Sequence, residues 1–178
     1  MNADEFAEGL TRCAPSLNDL RRGGFSENFC QKLRDSFIPR WKGDTEPADQ
    51  NPLVDFVLRY DASKIEIGGV RFGELKKDDN GCMCFGKEEA DPLLIDAQTG
   101  EIFLEELGSD GHILCWCAAD GESFLDAMLR AACFLEKCLV NSKLGQNQIT
   151  SRQVAEECVN LAGGEKYSTF YYALLGAL

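Results

Sequence analysis

One stretch, Asp91-Pro-Leu-Leu-Ile-Asp-Ala-Gln-Thr-Gly-Glu-Ile-Phe-Leu-Glu-Glu106, constrains the chain most, because it spells two short apolar runs joined by an Asp-x-x-Thr-Gly-Glu turn. Leu93 to Ile95 and Ile102 to Leu104 have strand length. Between them Asp96 can bond forward to the backbone, and Gly100 can take the positive φ that closes a type I turn with a bulge. A hairpin is expected here, and its surroundings say what kind of sheet it joins. Ile65, Ile67, Val70 and Phe72 follow a period of two, with Gly68-Gly69 read as a bulge or bend inside that strand. Asp78-Asp79-Asn80-Gly81 signals a turn before Cys82 to Phe85, and Gly108-Ser-Asp-Gly111 precedes the run His112 to Ala118. Successive strands joined by short turns predict an antiparallel meander rather than a parallel sheet with crossover helices.

Helical spacing frames this segment on both sides. Ser26 is a candidate N-cap for a helix carrying Phe29, Cys30, Leu33 and Phe37, which must stop before Pro39. Lys42 to Asn51, with Gly43 and Pro47, reads as a loop. Pro52 suits a first helical turn, and Leu53, Phe56, Val57 and Tyr60 form an apolar face behind it. After Asp120, a second N-cap candidate, Phe124, Leu125, Met128, Leu129, Ala132, Leu135 and Leu139 recur at spacings of three and four. Thr150 is read as the cap of a further helix that Gly163-Gly164 ends, and Tyr167 to Leu178 as a last apolar helix that completes the core. The expectation is one α+β domain over residues 1–178: helical to residue 60, a curved meander of about five to six strands over 64–119, and helices over 120–178.

The net charge of −12 is unevenly placed. Residues 61–140 hold seventeen acids and seven bases, so nearly all the excess lies in the sheet and the helix after it. Such a field repels nucleic acid and anionic membrane, and it speeds encounter with a basic partner. No window is apolar for the roughly 18 residues a bilayer span needs. The first residues are acidic where a secretory signal would be basic and then apolar, so a cytoplasmic location is expected. The nine cysteines are therefore read as small buried hydrophobes in a reducing compartment, without a disulfide framework.

Few constellations carry chemistry. Cys82/Cys84 and Cys115/Cys117 supply four thiols, but i and i+2 on a strand stand nearly 7 Å apart, unlike the tight Cys-x-x-Cys turns of structural zinc. His112 is the only histidine and follows a turn glycine, so no Ser-His-Asp or Cys-His mechanism can be assembled with geometric support. Ile67 to Gly73 lacks the Lys-Ser/Thr of a phosphate loop. Trp41, Trp116, Tyr167, Tyr171 and Tyr172 offer recognition surface if exposed, with core packing as the default. Neither a cofactor, a metal nor an enzymatic activity is expected.

Four segments together carry a resemblance: Ile38-Pro39, Val70-Arg-Phe-Gly73, Pro92-Leu-Leu-Ile-Asp-Ala-Gln-Thr-Gly-Glu-Ile102 and Asp120-Gly-Glu-Ser-Phe-Leu125. In this order, across roughly residues 26–140, the chain resembles the SUKH superfamily. That resemblance implies an α+β fold with a curved antiparallel sheet flanked by helices. It also implies a function, since bacterial members commonly serve as immunity proteins beside toxins that are often nucleases, while fungal relatives regulate cell-wall synthesis. The expected function is thus a non-enzymatic protein-binding module that neutralises a toxin. Its partner contacts would be Glu88, Glu89, Asp91, Glu105, Glu106 and Asp110, facing a basic surface. The alternative is an intracellular regulator or scaffold of the same fold, binding through the strand near Gly68-Gly69. In either case the chain is expected as a monomer or weak homodimer.

Overall fold

The structure is a computed structural model that describes residues 1–43, 49–78, 80–109 and 111–177, with Ser142 described by its backbone alone. Pro47 of the expected loop, Asp79 of the turn, Asp110 of the acidic set and Leu178 of the last helix lie outside the described residues. The fold is α+β. Helices α1 (Ala3–Cys13), α2 (Leu17–Arg22), α3 (Glu27–Asp35) and α4 (Pro52–Arg59) come first, with a small ribbon of β1 (Arg40–Trp41) and β2 (Tyr60–Asp61). Six antiparallel strands follow: β3 (Glu66–Ile67), β4 (Val70–Lys77), β5 (Met83–Glu88), β6 (Asp91–Ile95), β7 (Ile102–Glu105) and β8 (Ile113–Ala118). Their spatial order is their chain order, which is the predicted meander. Helices α5 (Gly121–Val140), α6 (Ser142–Gly145), α7 (Gln148–Ala162) and α8 (Ser168–Leu174) complete the described chain, with a 3₁₀ turn at Glu165–Tyr167.

The central hairpin forms as its sequence requires. Leu93 pairs with Leu104 and Ile95 with Ile102, while the Asp96 carboxylate accepts from the Gln98 and Thr99 amides at 2.8 and 2.7 Å. Gly100 takes φ of 77°. Gly68-Gly69 departs from expectation. It is the turn between two strands, with Ile67 opposite Val70 and φ of 62° at Gly68, so the apparent single strand from Ile65 to Phe72 is a short hairpin.

The inner face of the sheet supplies Val70, Phe72, Phe85, Leu93, Ile95, Ile102 and Leu104 to one core. A chain of rings crosses that core, Phe6 to Phe56, Phe72, Phe85, Phe124 and Phe170, with successive centroids 4.9 to 6.4 Å apart. These rings link α1, α4, the sheet, α5 and α8, and each such pair adds roughly 0.5–1.5 kcal/mol beyond the area it buries. Tyr167, Phe170 and Tyr171 are buried, so the C-terminal segment completes the core as expected.

The caps explain where the helices begin and end. Ser26 accepts from the Phe29 amide, and Asp120 accepts from Ser123 at 2.7 Å, both as predicted. Helix α7 begins earlier than the Thr150 cap implied, because the Asn147 side chain accepts from the Ile149 and Thr150 amides first. Gly163, at φ of 115°, ends it. The last helix is shorter than the expected Tyr167 to Leu178: Tyr167 belongs to the 3₁₀ turn, and α8 ends at Leu174, ahead of Gly176 at φ of 61°.

The expectation of unpaired thiols fails at one place. Cys13 and Cys133 form a disulfide between α1 and α5, with Cα atoms 5.2 Å apart. They are separated by 120 residues, and only the packing of the first helix on the fifth brings them together. The other seven cysteines are free. No described helix is long and apolar enough to cross a membrane.

Candidate functional site

Meander topology sends alternate turns to the same end of a sheet, so the β3–β4, β5–β6 and β7–β8 connections share one end. That end gathers the acidic residues. Glu88 opposes Asp91 across the two-residue turn Glu89-Ala90, and the Glu89 amide donates to the Gly69 carbonyl at 3.0 Å. Glu89 itself takes φ of 52°, a left-handed conformation rarely adopted by a residue with a side chain. Asp91 accepts from the Leu107 amide at 2.8 Å, which ties the turn to the β7–β8 connection, where Glu105 ends β7 and Glu106 follows it. Five of the six predicted contacts thus lie around neighbouring connections.

The charges there are poorly compensated. Among the described residues only Glu106 has a partner able to carry positive charge, His112 Nδ1 at 3.1 Å, and both side chains are exposed. Burial pushes the Glu88 carboxyl above its ordinary range, and the charges of Glu89 and Asp91 push it further. Its Oε1 atom stands so close to Gly69 that a Cβ there would lie 2.7 Å away. Lys87, the preceding residue in β5, is exposed and pairs with Arg71 and Pro92 on the other face.

The thiols do not converge as a set of four. Cys82 and Cys84 lie at the start of β5, Cys115 and Cys117 on β8, and β6 and β7 stand between them. Three strand spacings put the pairs about 14 Å apart. Among the described residues no cluster of three or more histidine, cysteine or acidic side chains is placed to hold a metal. Cys117 and Cys158 are buried, which pushes both thiols up, Cys158 to about 12. A hydrogen bond from Cys117 lowers that of Cys115. The Tyr171 hydroxyl is buried near these thiols with no hydrogen-bond partner among the described residues. Of the aromatics, Trp41 is exposed and Trp116 is half-buried beneath Lys166, whose Nζ sits 4.1 Å from its ring centroid.

One polar network was invisible in the sequence. Arg59, 6% exposed, bridges Asp55 and Asp4 at 3.0 Å each, and Tyr60 donates to Asp4 at 2.6 Å. This network ties α4 to α1. It borders a cleft of about 550 Å³ lined also by Asp49, Gln50 and Pro52. Only the i, i+4 spacing of Asp55 and Arg59 hinted at part of it. Compared with protein-family models, with curated proteins and with solved structures, the chain matches none.

Proposed function

We propose that this chain is a non-enzymatic protein-binding module whose acidic sheet end receives a basic surface of its partner. The observation that carries this reading is the gathering of Glu88, Glu89, Asp91, Glu105 and Glu106 around adjoining connections, with His112 as the single bonded partner able to carry positive charge among the described residues. Carboxylates held on short, hydrogen-bonded connections need little reordering on binding, and their summed field steers a basic partner into contact. The SUKH resemblance adds the class of partner. In this reading the chain is an immunity protein in the cytoplasm, the partner is a toxin, and a basic nuclease domain fits the charge.

The test is to co-express the chain with the products of neighbouring genes, recover complexes at low and high salt, and measure association rates. A toxic, basic partner whose association slows with salt supports the proposal. So does a large loss of rate on reversing Glu89, Glu105 and Glu106 together. Association rates that ignore both salt and charge reversal refute the steering role, and a partner with neither toxicity nor a basic surface refutes the immunity reading.

A further inference from the structure

The outer face of the sheet, opposite the main core, carries a feature of the reverse charge. Strand register places Lys76, Cys84, Leu94, Phe103 and Trp116 in one row across β4 to β8, and Arg71, Lys87 and Pro92 in a second row. Between the rows the ladder is broken. Gly73 to Leu75 on β4 face a single residue of β5, and the register of β5 on β6 also shifts between Cys84 and Gly86. The gap is a trough of about 470 Å³, lined by Arg71, Gly73, Lys76, Gly86, Lys87 and Leu107, with Glu74 the acid among its lining residues.

Glycine keeps the trough open. A Cβ at Gly86 would collide with the Arg71 carbonyl oxygen, whereas a Cβ at Gly73 would meet nothing within 4 Å. Arg71 is held by Glu66 at 2.9 Å. Lys76 and Lys87 are exposed, one in each row, and neither has an ion-pair partner among the described residues. Two cations without ion-pair partners among the described residues thus flank a backbone-floored trough.

We propose that this trough docks an extended acidic segment of a partner protein, with carboxylates on Lys76 and Lys87 and an apolar side chain against Pro92 and Leu107. Charge complementarity selects the acidic segment. The net charge of −12 repels a polyanion and so favours a short acidic peptide over a nucleic acid, and among the described residues no strand pairs with β4 from Phe72 to Lys77 on the β3 side. The trough adjoins the acidic end at Lys87, Ala90 and Leu107, but the proposal does not depend on that end binding anything.

The experiment is fluorescence anisotropy at low salt with capped, labelled peptides of alternating glutamate and leucine, about eight residues long to match β4 at ~3.3 Å per residue. Matched lysine–leucine and glutamine–leucine peptides are the controls. The acidic peptide is expected to bind saturably, and Lys76→Glu with Lys87→Glu is expected to weaken it about tenfold or more. Gly73→Leu, which fills open space at a backbone geometry any residue accepts, is expected to weaken it comparably with an unchanged melting temperature. Should that variant melt early, the charge-reversed pair still decides. Four results overturn the proposal: no saturable binding below about 1 mM, equal binding of the control peptides, displacement by an oligothymidylate of similar length, or self-association of the chain that the lysine reversals abolish.

Discussion

Glu88 holds a carboxylate where the fold disfavours one. Its pKa is raised first by burial and then by Glu89 and Asp91, so the folded chain binds this proton more tightly than the unfolded chain does. The stabilisation linked to that proton is present in acid and is lost as pH rises through the folded value. Glu88→Gln is therefore expected to raise the melting temperature at neutral pH, with the gain shrinking toward pH 4; an unchanged or lower value at pH 7 refutes the argument. The same sign applies to two tyrosines. Burial first, then the acceptors Asp4 and Glu101, push Tyr60 and Tyr167 to about 12 from 10.0. Their contribution is full below pH 10 and is lost between about 10 and 12. Thermal melts across that window are expected to show a steep loss of stability, reduced in a Tyr60→Phe, Tyr167→Phe double variant.

Two glycines separate backbone need from crowding at the scale of elements. Gly100 closes the β6–β7 hairpin at φ of 77° with open space around it, and Gly163 ends α7 at φ of 115° with Ala119 2.9 Å from where a Cβ would sit. Gly100→Ala is expected to cost about 1–2 kcal/mol, the penalty of left-handed geometry. Gly163→Ala adds the clash and is expected to lower a denaturant midpoint further. These two positions were legible in the sequence because turn chemistry and helix stops are local. So were the meander, the Asp120 cap and the burial of the C-terminal aromatics, since each follows from periodicity within a few residues. Gly68-Gly69 was misread because a two-residue strand leaves a hairpin and a bent strand with the same alternation. The cap falls three residues ahead of Thr150 because Asn147, a stronger N-cap than threonine, accepts from the Ile149 and Thr150 amides. The acidic residues were legible one by one, but their gathering followed from strand order. The trough between Lys76 and Lys87 was not legible at all, since it arises from bulges that no local pattern announces.

Across the whole molecule, the disulfide does what the aromatic core does by packing: it fixes the first helix against the fifth. Cys13 and Cys133 enclose most of the chain between them, so the bridge restricts the unfolded state over a long loop, for which chain entropy alone gives about 5 kcal/mol, while disulfides typically deliver about 2–4 kcal/mol. Reduction with dithiothreitol is expected to lower unfolding free energy by roughly that amount, and Cys13→Ser with Cys133→Ser to reproduce the loss and abolish any further effect of reductant. Thiol counting gives an independent reading: alkylation of the unfolded chain is expected to modify seven cysteines before reduction and all nine after it. The result bears on location as well as stability, because glutathione and thioredoxin keep most cytosolic thiols reduced. Nine reactive thiols in chain trapped by alkylation at the moment of lysis would fit the cytoplasmic reading and make the bridge a contact closed only under oxidising conditions. Seven would place the working protein in an oxidising compartment, where the acidic sheet end would meet its partner outside the reducing pool.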